Sequence, residues 1–196
     1  MTDIPHGPGL AAETKAFNQY LNKNPAFRDQ LRAAPGKTVA YAGSFEDVAA
    51  WVRLLRGQLG DPWQNDYQML PDVLRQIICP ADLFRAVGLV TPLQIVTLLD
   101  FVQYLTGDGP WPAKVPWQPD GFTIWRVLSG IFMSNATGRV RILVGDVTDP
   151  ASKVFFRTEI FVLERNPAID IHARGAIHTL RQRIKSGLVP GRIELV

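Results

Sequence analysis

The sequence predicts an α+β fold, with an N-terminal helical part followed by a small, mainly parallel sheet flanked by helices. Two observations carry this expectation. Apolar residues recur at helical spacing through most of residues 10–119. From residue 120 the pattern changes to helix, strand, turn and strand within fewer than fifty residues. The expected organisation is a short lead-in over residues 1–9 and one domain over 10–196. Residues 10–119 form its helix-rich part and 120–196 its sheet-rich part.

Taken in order, residues 1–9 are rich in Pro and Gly and read as a lead-in. A helix is expected from Leu10 to Asn22, with Phe17, Tyr20 and Leu21 on its apolar face. A shorter one runs from Pro25 to Ala34, opened by Pro25 and closed by Pro35-Gly36. Residues 38–43 read as a buried strand ending on Gly43. Ser44 then caps a helix over 45–59, with Asp47 in the capping-box position. Strand, glycine and capped helix start together make a generic anion site. Short helices follow over 71–78 and 81–89, and Thr91-Pro92 opens a longer, largely buried one reaching Leu105. Residues 107–119 form a proline-stiffened loop carrying Trp111 and Trp117, suited to a pocket rim, a protein interface or a staple onto the body.

Asp120 is placed to cap a helix bearing Ile124, Trp125, Leu128, Phe132 and Met133 at helical spacing, with Gly138 as its stop. A strand over 140–144 and a second over 153–163 follow, separated by a turn at Asp149-Pro150. Residues 169–171 read as a further strand, 176–186 as a helix, and 192–196 as a last edge strand.

Composition narrows the function. With 196 residues, 46% of them hydrophobic and 20% charged, the chain can bury a sizeable core. No apolar run approaches the ~20 residues of a membrane span, and the first ten residues show no export signal. The single cysteine, Cys79, rules out an intrachain disulfide and reads as a small core residue. The net charge of +3 comes from dispersed basic residues. The densest group, Arg181, Arg183 and Lys185, sits where cations complement a helix dipole. Nucleic-acid binding would need a basic stripe interleaved with aromatics, and none is visible. An acidic small ligand or acidic protein fits the charge. His6, His172 and His178 lack metal-ligand spacing, and no P-loop, dinucleotide fingerprint or nucleophile elbow occurs.

Three residues stand out in the later part. Trp125 and Ser129 are four apart, so they share a helix face that is otherwise apolar. In a strand over 153–163, Glu159 would lie on one side with Phe155, Arg157, Phe161 and Leu163. A carboxylate on a mainly aromatic face is either paired with a cation, here Arg157 or Arg165, or kept for chemistry.

The pattern from Phe122 to Pro167 combines I-W-x-x-x-S-x-x-F, a V-x-I-L-V strand and V-F-F-x-x-E-I-x-x-L-x-x-N-P. It resembles the ADP-ribosyl cyclase family, which includes NAD glycohydrolases and NAD-consuming toxin domains of bacteria. The resemblance implies an ADP-ribosyl cyclase-like fold and cleavage of the nicotinamide–ribose bond of NAD+. Glu159 would stabilise the ribosyl cation, Trp125 would stack on the nicotinamide, and Ser129 would hydrogen-bond the ribose or the intermediate. Tyr41, Gly43 and Ser44 would line the nicotinamide and phosphate end, where Ala42 replaces the family's usual serine. Phe155 would wall the phosphate end. The family's acidic contact to the nicotinamide amide falls best on Gln68, with Asp100 as the rival position. NAD+ is the substrate, with no metal or separate cofactor expected. Water capture gives ADP-ribose, and attack by the adenine gives cyclic ADP-ribose.

The resemblance further implies an interbacterial toxin or effector that depletes NAD. Such a chain would be cytoplasmic in the producer, delivered by a specialised secretion system to the target cytoplasm, and neutralised by a cognate immunity protein. No nucleic acid or membrane partner is expected. Two other classes remain open: an ADP-ribosyltransferase, although Arg157 stands where its paired acid or amide belongs, and a non-enzymatic interaction module presenting the Trp111–Trp117 loop.

Overall fold

The computed structural model describes residues 9–42, 48, 50–54, 67–106, 121–145, 154–186 and 193–195. They form a mixed helical and β structure divided into two compact units. The first unit is Met1–Leu31 with Pro71–Leu128, and the second is Arg32–Leu70 with Ser129–Val196. Asp120 and the Trp111–Trp117 loop lie outside the described residues.

The first unit is helical. The Gly9–Lys23 helix buries Phe17, Tyr20 and Leu21, as the spacing predicts. Phe17 and Phe84 both meet Phe101 with ring centroids 5.5 Å apart, in the tilted geometries aromatic quadrupoles favour. Tyr20 packs edge-on to Phe27 and donates its hydroxyl to the Asp82 carboxylate at 3.2 Å. The shorter Pro25–Arg28, Leu70–Gln76 and Ala81–Ala86 helices stop earlier than their apolar patterns suggest.

The helix expected from Thr91 begins instead at Leu98 and ends at Thr106. A capping box sets its start. Thr97 Oγ1 accepts the Asp100 N–H at 3.2 Å, and Asp100 Oδ2 accepts the Thr97 N–H at 3.2 Å. The residues before it pair with another segment: the Cys79 N–H reaches Val96 O at 2.9 Å, and the Leu98 N–H reaches Ile77 O at 2.8 Å. This leaves Leu93 and Val90 wholly exposed rather than in a core. Cys79 is buried, and desolvation, followed by the Asp100 charge, pushes its thiol up to about 12.

The second unit carries the sheet, in the order β1 (Thr38–Ala42), β2 (Val140–Val144), β3 (Ile193–Leu195). β1 and β2 run parallel in the register Thr38↔Val140 to Ala42↔Val144. β3 is antiparallel to β2, so the parallel character rests on one pairing. β1 comes from the helix-rich part of the sequence, and the sheet thus joins both parts. On one face Val39 and Leu143 pack with Val48, Val52, Tyr67 and Met69, and Tyr41 and Trp51 lie partly buried against them. Along its outer edge β1 takes a short partner, with the Val39 N–H bonded to Gln68 O at 3.0 Å.

The strand expected over 153–163 is helical. Residues Phe155–Glu159 wind as a π-helical turn that continues into the Ile160–Arg165 α-helix. The reason is visible in the burial. Phe155, Phe156, Glu159, Ile160 and Leu163 are inside while Arg157 is exposed, a one-three-four rhythm no alternating strand can give. The density of Val, Phe, Thr and Ile, which favours strands only by fitting a half-buried pleat, points the wrong way here. The strand expected at 169–171 shrinks to one bridge between Gly138 and Ile169, and a helix runs Ile171–Lys185 from an Asp170 cap.

Asn166 ties these pieces together. Its buried side-chain amide donates to Met133 O at 2.9 Å, Ser134 O at 3.2 Å and Ala136 O at 2.9 Å. These are carbonyls at the end of the Gly121–Ser134 helix, left without intrahelical donors. Asn166 Oδ1 accepts the Ala168 N–H at 2.9 Å. The chain then turns through two left-handed glycines, Gly36 (φ 75°) and Gly138 (φ 69°). A Cβ on Gly138 would lie 3.4 Å from Gly36 N, so the two turns abut. Among the described residues no helix is long and apolar enough to cross a membrane.

Replacing Asn166 with Ala strands the Ser134 and Ala136 carbonyls and the Ala168 N–H, while Met133 O keeps the Ala136 N–H at 3.4 Å, and is expected to cost about 3 kcal/mol. Urea unfolding would check this, and a midpoint equal to wild type would remove Asn166 as the tie.

Candidate functional site

Glu159 closes the π-helical turn and is 5% exposed. The Gly121–Ser134 helix supplies Ser129, 4% exposed, which hydrogen-bonds the Glu159 carboxyl. The next helical residue, Gly130, lies against Thr158, whose Cγ2 is 3.5 Å from where a Cβ would stand, an ordinary packing distance. The second partner of Glu159 is the backbone N–H of Tyr41 on β1. Tyr41 follows Val39 by two residues, so its N–H faces the same outer edge that Gln68 O fills at Val39. The carboxyl therefore takes up a strand-edge donor where Gln68 ends.

Its other oxygen, Oε2, is buried without a hydrogen-bond partner. Burial pushes the carboxyl up to about 7, and the Ser129 and Tyr41 hydrogen bonds, which favour the ionised form, oppose that rise. The hydrogen-bond partners of Glu159 are thus a hydroxyl and a backbone amide, not the Arg157 or Arg165 suggested by a strand geometry. In the helix, Arg157 points outward and is exposed.

Of the expected site residues, the structure brings together Glu159, Ser129 and the backbone of Tyr41, whose side chain is half-buried. Trp125 lies half-buried one turn before Ser129 on the same helix. Its residues through Leu128 belong to the first unit. Phe155 is buried and meets Phe156 edge-on with centroids 5.0 Å apart. Gln68 uses its side-chain carbonyl to accept the Ala34 N–H at 2.7 Å. Asp100 holds Thr97 Oγ1 at 2.7 Å within the capping box of its own helix. Gly43 and Ser44 lie outside the described residues. The Tyr41 amide is a contact that sequence reading missed, because a strand-edge donor leaves no mark on residue type.

No group of three or more His, Cys, Asp or Glu able to hold a metal ion occurs among the described residues. His178 Nδ1 instead meets Glu164 Oε1 at 2.9 Å, and Arg181 pairs with the other Glu164 oxygen.

Protein-family models, curated proteins and solved structures were compared with this chain, and none matches. The resemblance seen over Phe122–Pro167 rests on the residues themselves.

The raised carboxyl of Glu159 links folding to pH. The folded state holds the proton up to about pH 7, whereas an unfolded glutamic acid releases it near pH 4.3. Between those values the folded state binds more protons. Stability from this group is therefore full below the unfolded value and lost as pH rises through 7. Melting of wild type and Glu159→Gln at pH 5 and pH 8 should show the variant gaining relative stability at pH 8, by up to about 3 kcal/mol. A difference that does not change with pH would contradict the raised carboxyl.

Proposed function

We propose that this chain is an NAD+ glycohydrolase with an ADP-ribosyl cyclase-like arrangement, cleaving the nicotinamide–ribose bond. The observation that carries the reading is the meeting of Glu159 with Ser129, a carboxyl and a hydroxyl each singled out in the sequence as a site residue, with Glu159 Oε2 left unpartnered. In the reaction the bond between the nicotinamide nitrogen and the ribose C1′ breaks. Its electron pair leaves with the ring, which becomes neutral nicotinamide. A ribosyl cation of oxocarbenium character remains.

Ionised Glu159 is the group proposed to stabilise that charge, from a site where apolar surroundings screen little. Ser129 holds one carboxyl oxygen and orients the other. Trp125 is proposed for the nicotinamide ring on its helical spacing from Ser129 alone, and Tyr41 keeps the binding role the resemblance implies. Gly43, Ser44, Gln68 and Phe155 keep the binding roles the resemblance implies, although the Ala34 bond of Gln68 leaves less of its amide for nicotinamide. Water adds to C1′ and loses a proton to give ADP-ribose, and capture by the adenine would give cyclic ADP-ribose. The proposed biological role is an interbacterial toxin or effector that depletes NAD and is held in check by an immunity protein.

A second reading is favoured by one specific contact. The Tyr41 N–H is a strand-edge donor that needs an acceptor, and Glu159 supplies it. On that reading the carboxyl is a structural cap and the chain a non-enzymatic module.

Chromatographic measurement of NAD+ loss separates the two. The enzymatic reading expects turnover that rises with pH through about 7, as Glu159 ionises. It also expects a fall of roughly 10²–10³-fold in Glu159→Gln. Equal turnover in wild type and variant, or none in either, would favour the structural cap.

A further inference from the structure

The connection that replaces the start of the expected Thr91 helix leaves an apolar surface on the first unit. Ile78 and Thr97 face each other in an antiparallel bridge, closed by the Cys79 N–H on Val96 O and the Leu98 N–H on Ile77 O. Side chains alternate about that bridge. Ile77, Cys79, Val96 and Leu98 share the inner face and are buried. Ile78, Thr97 and Ile95 take the outer face, where a strand that meets water ordinarily carries polar side chains. Here Ile78 is 55% exposed and Ile95 80%. The residues leading into the bridge extend the surface, with Val90 91% exposed and Leu93 wholly so. Exposed aliphatic side chains scattered singly are ordinary, but several together mark an interaction surface.

The form of the edge decides what can cover it. Ile78 and Thr97 are the wide pair of the ladder, so Ile78 turns its N–H and C=O away from Val96. A peptide adding there as a strand would meet that one residue only. The Leu70–Gln76 helix ends just before it, and Pro80, two residues on, has no N–H. Main-chain pairing therefore offers little, and the side chains carry what the surface has to give.

Those side chains suit an identical surface. Ile78, Val90, Leu93 and Ile95 are uncharged, as is Thr97 among them. Two copies related by a two-fold axis can thus meet here with no like charges opposed. Area sets the strength of the contact. Burying one aliphatic side chain removes roughly 100 Å² of apolar surface, so the four present about 300 Å² per copy. A standard stable complex buries about 800 Å² per partner.

From these placements we infer that Ile78, Val90, Leu93 and Ile95 form the contact surface of a weak homodimer, in which this face packs against the same face of a second copy. The surface belongs to the first unit, whereas Ser129 and Glu159 belong to the second. The pairing is independent of NAD cleavage.

Sedimentation equilibrium of the full chain from micromolar to millimolar concentration tests this. The wild-type mass should climb toward twice that of the monomer. Leu93→Gln/Ile95→Gln should raise the dissociation constant at least tenfold, and Val90→Gln alone should raise it by less. These side chains are exposed, so the variants should keep the wild-type unfolding midpoint. Leu54→Gln, at an exposed leucine of the second unit, should associate as wild type does. Three results would overturn the inference: a wild type that stays monomeric throughout, undiminished association in the double variant, or an equal loss in Leu54→Gln. A monomeric wild type that instead floats with phospholipid vesicles or takes up an apolar peptide overturns it too, and gives the surface to that occupant.

Discussion

The side-chain amide of Asn166 fixes the relation on which the rest of the second unit depends. Three carbonyls at the end of one helix converge on it, and its own oxygen starts the next turn. An unpaired buried carbonyl is costly, so the end of the Gly121–Ser134 helix and the end of the Ile160–Arg165 helix hold one relative position. Ser129 stands little more than one turn before the first of those carbonyls, and Glu159 less than two turns before Asn166. The same anchor that closes the helix end also brings the hydroxyl and the carboxyl within hydrogen-bonding reach.

Glu159 is then subject to two opposed demands. Burial disfavours its charge, whereas Ser129 and the Tyr41 amide favour it. Desolvation is the larger effect, yet the balance leaves the group near the pH at which it can exist in either form. A carboxyl in that condition suits acid–base or electrostatic chemistry. It can equally serve as a neutral or charged strut at a strand edge, so geometry alone supports both roles.

Much of the architecture was legible in the sequence. The Gly9–Lys23 and Gly121–Ser134 helices follow from apolar period, because each has one face buried and one wet, and β1 and β2 follow as short apolar runs buried almost throughout. Ser129 and Glu159 could each be singled out from residue type and surroundings, but their contact with one another could not. Three other things could not be read. The 155–163 segment is dense in β-branched and aromatic residues, and its helical state is imposed by tertiary packing. The Thr97–Asp100 capping box was hidden by an upstream Thr-Pro that imitates a helix start. Gln68 and Asp100 looked like ligand contacts because their local partners, the Ala34 amide and Thr97, lie in backbone geometry that letters do not record.

The π-helical turn over Phe155–Glu159 sets an angular phase. An α-helix advances about 100° per residue, and a wider turn holds one residue more than an α-turn would. Everything after it is rotated relative to everything before it by about that amount. Phe155 and Phe156 can thus face inward while Glu159 still meets Ser129. A chain shorter by one residue in this stretch could keep its aromatic anchor or its acid in place, but not both. The reach of the carboxyl is therefore encoded in a count of residues as much as in their chemistry.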